Sequence, residues 1–231
     1  WRAYEYDTNY PDYEPADGLK EKIDYAHSLG FKVSLHCNMI GCSFSSNEWE
    51  EGLSEFACLD AYTRETIVEG YTAFGKDYRF GQMNQASVEW QDTMVEGMVQ
   101  VVKDTGADCI HLDQSLLCFN DGRGLVNGMT TMQGNIELQR RLAEALPGIA
   151  FSGEGINEFN CTAKGVDIII LLLDFTGYLV RLGGYMFYTF FDGKVPLKVF
   201  PVCCPTRSHI NLAIAYGSNS YDWHIVTNGW L

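Results

Sequence analysis

Two short apolar runs in this sequence each finish on a carboxylate. CIHLD closes on Asp113, and AFSGE closes on Glu154. Side chains alternate along a strand, so Cys109, His111 and Asp113 share one face and Ala150, Ser152 and Glu154 share another. Consecutive parallel strands lie about 4.8 Å apart. With those faces turned inward, the two carboxyl groups would stand roughly 5–6 Å from one another. That separation suits displacement at a sugar with retention: one carboxylate attacks the anomeric carbon, and the other protonates the leaving oxygen and then activates water. A single Asp after a strand can equally cap a helix or pin a loop. Two on neighbouring strands, each ending an apolar run, are harder to explain that way. His111 has two readings: a core histidine bonded to a neighbour, or a donor that orients Asp113 and keeps it ionised. Glu158 is a rival acid, but it falls four residues past the strand end, in an expected helix.

These carboxylates need a scaffold, and the pattern supplies one. Residues 2–7, RAYEYD, alternate and are aromatic-rich, as strands are. Pro11 and Pro15 mark a loop. Leu19, Ile23, Ala26 and Leu29 form one helical face, and Gly30 stands at the C-cap position. FKVSLHCN, 31–38, is the next strand. Residues 41–86 break the rhythm with a Ser-, Gly- and Glu-rich start and a hairpin within TIVEGYTAFGKDYRF. That is too long for a plain loop, so an inserted, lid-like subdomain is expected. A helix then runs from the N-cap Ser87 to Gly106, with Val88, Met94, Val95, Met98, Val99 and Val102 as its apolar stripe. After the strand ending at Asp113 come a loop, 114–130, and a helix over 131–146 with Ile136, Leu142 and Leu146 inward. The strand ending at Glu154 follows, then a short helix over 157–164 and a strand in VDIIILLL.

Strands alternating with helices at this spacing imply parallel strands and crossover helices. No Gly-rich phosphate loop follows any strand, which weakens an open nucleotide-binding sheet. Polar residues collect instead at strand C-terminal ends: Asp7, His36, Asn38, Asp113 and Glu154. Barrels build their sites there. The expected fold is therefore α/β, a (β/α)8 TIM barrel with an insert after an early strand and all of 1–231 in one domain. Fewer than eight strands are visible, so the barrel is expected to be incomplete here, its first strand missing or outside this chain.

Composition narrows the partners. With a net charge of −14 and no Lys/Arg cluster, the chain is a poor match for nucleic acid. No run of about 18 apolar residues is present to span a membrane. The eight cysteines include no CxxC pair, so neither a zinc site nor any other metal or cofactor is expected. No secretory leader pattern is visible, and secreted, periplasmic and cytoplasmic locations all stay open.

A sugar site also needs flat apolar platforms and hydrogen-bonding edges. Tyr4, Tyr6, Tyr10, Tyr13, Asn38 and Gln114 fall near strand ends, and DTNYPDYEP interleaves polar and aromatic groups just past one. Taken in order, DTNYPDYEP, AHSLGFKVSLHCN, MNQASVEW, GADCIHLDQ and AFSGEGINE resemble an uncharacterised family of bacterial glycoside-hydrolase-like TIM barrels, distantly similar to endo-α-N-acetylgalactosaminidases and α-amylases. The likeness spans about residues 1–160. In the α-amylase pattern the nucleophilic Asp ends the fourth strand, the acid/base Glu ends the fifth, and a domain is inserted after the third. The resemblance thus implies Asp113 as nucleophile, Glu154 as acid/base, and 41–86 as the insert. There are departures. His111 stands where that pattern has Arg, and Gln85 where related sequences lead one to expect Pro. The third carboxylate has no match: Asp174 comes too early, and His209 stands as its substitute.

The expectation is a retaining glycoside hydrolase acting on an oligosaccharide, polysaccharide or glycoconjugate, with the α linkage implied by the resemblance alone. Asp7, Tyr10, His36, Asn38, His111, Gln114 and His209 are its expected substrate-binding residues. The alternative is a carbohydrate-binding barrel without catalysis. A metal- or Schiff-base-dependent lyase would need a strand-end lysine or a His/carboxylate cluster, and Lys32 sits at the wrong end of its strand.

Overall fold

A computed structural model describes residues 1–5, 8–73, 75–115, 117–154, 168–172 and 198–202. Five strands form one parallel sheet: β1 (Ser34–Asn38), β5 (Cys109–Asp113), β6 (Ala150–Glu154), β7 (Ile168–Leu172) and β8 (Lys198–Val202), side by side in that order. Helix α1 (Leu19–Ser28) precedes β1. Helix α3 (Val88–Thr105) leads into β5, and α4 (Thr131–Ala145) joins β5 to β6. This is an α/β architecture in which helices carry the chain back between parallel strands.

Local chemistry sets the helix ends. The Ser87 and Thr130 hydroxyls accept from the Trp90 and Gln133 amides, and Gln133 returns the bond to the Thr130 N–H as a capping box. Gly106, at φ 73°, takes the left-handed turn that ends α3, where a β-carbon would be strained. The expected stripe of α3 faces the core except at its first residue: Met94 and Met98 are buried, and Val95, Val99 and Val102 are partly buried against the core. Trp90 and Val101 are buried too, and Val88 is exposed. The same face carries the helix's bulkiest side chain, Trp90, whose indole N–H donates to the Met39 carbonyl at 3.2 Å. In α4 the buried face is largely small and polar: Thr131, Gly134, Asn135 and Gln139 lie beside Leu138 and Leu142, while Ile136 is only partly covered.

Register sorts the sheet into two faces. Leu35, Ile110 and Phe151 stand level across β1, β5 and β6, and Cys37 is level with Leu112. These side chains are at most 2% exposed and join Trp90, Met94, Met98, Leu138 and Leu142 in one core. The alternate positions, His36, His111 and Ser152, are level with one another in turn. A one-residue slip would exchange the two sets, so burial of the apolar face fixes where the polar face stands.

Residues 41–82 contain a second, antiparallel sheet of order β2-β4-β3: β2 (Gly41–Ser43), β3 (Val68–Ala73) and β4 (Lys76–Gln82). β3 and β4 form the hairpin read from the sequence. A one-turn helix α2 (Asn47–Glu50) and a 3-10 turn (Leu53–Phe56) pack beside it. Loop 114–130 is tied to this unit. The buried Asp121 carboxylate accepts from Asn84 at 2.7 Å and from Arg123, whose guanidinium also reaches the Glu55 and Ala57 carbonyls.

The expected strand over 2–7 does not form at 2–5. Arg2 makes only an isolated antiparallel bridge with Pro15, because the segment folds back: Ala3 N–H bonds Glu14 O, and Ala16 N–H bonds Trp1 O. The expected helix 157–164 and the residues flanking β7 lie outside the described residues. Among the described residues no helix is long and apolar enough to cross a membrane.

Candidate active site

The C-terminal ends of β1 and β5 are level, so Asn38 stands opposite Asp113 just as His36 stands opposite His111. The His36 and His111 rings are 5.4 Å apart and tilted by 39°. His36 Nε2 lies 3.7 Å from Asp113 Oδ2. One polar atom from each of His36, His111 and Asp113 lies within 4.8 Å of the others. Asp113 is 16% exposed and His36 35%, so the group opens to solvent at the strand ends.

Asn38 is aimed by its own backbone turn. Its Oδ1 accepts from the Ile40 N–H at 3.0 Å and the Gly41 N–H at 2.7 Å. That arrangement turns Nδ2 toward Asp113 Oδ2 at 3.5 Å and Gln114 Oε1 at 3.3 Å. A β-carbon at Gly41 would stand 3.0 Å from that same Oδ1, which is why a small residue follows. From behind, the buried Tyr13 hydroxyl donates to the Asn38 carbonyl at 3.0 Å.

Gln114 adopts φ 58°, turning the chain sharply after β5. Its Nε2 donates to Glu69 Oε1 at 2.8 Å, and the other oxygen of Glu69 accepts from Gln82. A carboxylate from the hairpin is thereby held against the rim of the parallel sheet.

His111 faces Ser152 on β6, with Nδ1 and Oγ 2.9 Å apart. Burial, with the neighbouring His36 as a lesser cause, pulls its imidazole down to about 3. An unfolded histidine titrates near 6.5. The unfolded chain therefore binds this proton first as pH falls. Neutral His111 contributes its full stability above about 6.5 and loses it progressively toward pH 3, at a slope of about 1.4 kcal/mol per pH unit within that window. Asp108 acts lower. Burial would raise its carboxyl, but Lys32, the Val33 N–H and His27 outweigh that and hold it at about 2, so its contribution is lost only below 3.8. Urea unfolding followed between pH 7 and 4 should show the His111 slope and lose it in His111→Asn. An unaltered slope in the variant would place the acid sensitivity elsewhere.

The structure thus gathers four expected site residues around Asp113: His36, Asn38, His111 and Gln114. Tyr10 is not among them. It is 2% exposed, with its ring under the Arg2 guanidinium at 3.8 Å and against Tyr13 and Phe80, so it serves the core and not a sugar platform. Glu154 ends β6, one step past the level pair Leu112–Gly153, as Asp113 does in β5. Its side chain, Asp7 and His209 lie outside the described residues. Glu69, Gln82 and Ser152 were missed as site residues. Ser152 had a signal in its alternation with Glu154, whereas the two hairpin residues had none, because only the packing of one sheet on another brings them here.

Among solved structures, the fold is similar to an alpha-N-acetylgalactosaminidase from Bifidobacterium bifidum in complex with GalNAc, with TM-score 0.71 and 18% identity over 96% of this chain and 37% of that one. It is also similar to a cycloisomaltooligosaccharide glucanotransferase from Paenibacillus sp. complexed with cycloisomaltoheptaose, with TM-score 0.57 and 18% identity over 80% and 28%. A third is Aspergillus fumigatus Ega3 in complex with galactosamine, with TM-score 0.54 and 13% identity over 84% and 73%. At these identities the likeness is one of fold, and the chain spans little more than a third of the first enzyme and less of the second. No curated protein matches the sequence. A family profile does, over residues 1–159, and by that match the chain belongs to the family described as Domain of unknown function (DUF6259).

Proposed function

We propose that this chain carries the catalytic core of a retaining glycoside hydrolase acting on an α-linked carbohydrate. Asp113 is the nucleophile and Glu154 the acid/base, on a closed (β/α)8 barrel whose 41–86 insert overhangs the strand ends. The supporting observation is that Asp113 and Glu154 each directly follow the level pair Leu112–Gly153, at the C-terminal ends of neighbouring parallel strands. The fold's similarity to an alpha-N-acetylgalactosaminidase bound to GalNAc supports a sugar substrate and the α linkage.

In this reading the Asp113 carboxylate attacks the anomeric carbon while Glu154 protonates the departing glycosidic oxygen. The glycosyl ester that forms on Asp113 is then hydrolysed by water that Glu154 deprotonates, and two inversions give net retention. Asn38 Nδ2 and His36 Nε2 both approach Asp113 Oδ2 and set the direction of attack. His111, neutral across the physiological range, fills the space beneath without adding charge. Asp7 and His209 are proposed to contact the sugar with His36, Asn38, His111 and Gln114.

The test is a panel of aryl α- and β-glycosides of N-acetylgalactosamine, galactose and glucose, with the first-formed product anomer read by proton NMR. Cleavage of an α-glycoside releasing the α-anomer first is expected. Release of the β-anomer first, or sugar binding with no turnover across the panel, would overturn the assignment.

A further inference from the structure

We infer that His36, His111 and Asp113 form a binding site for a divalent transition-metal ion. This goes beyond the glycosidase reading and bears on it: an ion held by Asp113 would occupy the proposed nucleophile, so bound metal would inhibit turnover and the metal-free chain would be the active form. The donors come from two strands whose register is set by the core: His36 and His111 are level, and Asp113 is two residues along on the same strand. One donor atom from each residue lies within 4.8 Å of the others, and the His36 Nε2–Asp113 Oδ2 distance is 3.7 Å. Metal–ligand bonds of about 2.0–2.2 Å hold tetrahedral donors roughly 3.3 Å apart. The set must therefore contract by about 1.5 Å at its widest. His36 and Asp113, on the open side, can supply that by side-chain rotation, while His111 stays in place.

His111 is already arranged as a ligand. Its Nδ1 is engaged by Ser152 Oγ at 2.9 Å, so with that bond kept, coordination would fall to Nε2. Ligating histidines are oriented by a partner of this kind on their second nitrogen. Asn38 Nδ2, 3.5 Å from Asp113 Oδ2, can stay on a second lone pair of the same carboxylate. Two imidazoles and one carboxylate favour zinc, cobalt, nickel or copper over calcium and magnesium, which take oxygen ligands. Three protein ligands leave a position for water on the exposed side. The absence of a CxxC pair does not bear on this site, because its ligands are brought together by strand pairing and not by sequence spacing.

The full chain should be titrated with Co2+ and followed by visible absorbance, with Zn2+ calorimetry in parallel and no sugar present. The expected result is one ion per chain, with visible d–d bands and no near-ultraviolet thiolate charge-transfer band. His36→Ala and His36→Gln, each checked for native circular dichroism, should weaken binding at least tenfold, and Ser152→Ala about tenfold. No d–d bands, a thiolate band pointing to the cysteines, or wild-type affinity in both His36 variants would overturn the site. Because the readout is binding alone, its failure leaves the glycosidase test untouched, and the reverse also holds.

Discussion

Asp113→Asn should lose at least about a thousand-fold in kcat/KM on any α-glycoside that the wild-type protein cleaves, equivalent to roughly 4 kcal/mol of transition-state stabilisation. The amide matches the carboxylate in shape, and its oxygen can still accept from Asn38, so unfolding should be unchanged. What disappears is the negative charge that forms the glycosyl ester. Loss of turnover alone would not separate a nucleophile from an orienting group, but azide does. In Glu154→Ala, azide should restore turnover as an attacking anion that needs no base, giving the α-glycosyl azide. In Asp113→Ala, azide should enter from the face the carboxylate used and give the β-glycosyl azide. The opposite pairing of products would exchange the two roles, and full activity in Asp113→Asn would end the proposal.

Gly134→Ala should be the most damaging single-methyl change in the described core. A β-carbon there would stand 2.2 Å from Ala86 N and 2.4 Å from both Ala86 Cα and Gln85 C. These are backbone atoms, and their turn is anchored: Ala86 N–H bonds Asn84 Oδ1, Asn127 bonds Ala86 O, and Gln91 bonds Gln85 O. Ala is the better helix former by about 1 kcal/mol. Overpacking costs about 1–3 kcal/mol and occasionally more, and against immovable backbone the upper end applies. A net loss of about 2 kcal/mol or more is expected, lowering Tm by roughly 4–8 °C. Gly30→Ala is the control: its φ of 84° carries strain, but nothing lies within 4 Å of its β-carbon, so the loss should be smaller. Equal midpoints for the two variants would mean that α4 lifts from the 85–86 turn at little cost.

The helices and the central strands were legible because their signals are local. Ser87, Gly106 and the Thr130–Gln133 pair satisfy backbone groups within one turn, and CIHLD and AFSGE are apolar runs of strand length. Two misreadings share a cause in tertiary packing. The alternation of residues 2–7 reads as a strand, but the chain's return at Glu14 takes its hydrogen bonds. Tyr10 falls in a polar, aromatic segment typical of sugar sites, yet it packs inward. The candidate site was legible only one strand at a time. His36 and His111 are 75 residues apart in sequence, and nothing in either segment announces that they stand level.

Glu69 belongs to the antiparallel sheet, yet one of its oxygens is engaged by Gln114, the residue next to the proposed nucleophile. The two sheets therefore behave as a single mechanical unit at this point. Tilting the hairpin would strip a donor from a half-covered carboxylate and release an amide beside Asp113 in the same motion. Were Asp113 to react as proposed, its surroundings would thus answer to the posture of an appendage that contributes no reacting atom.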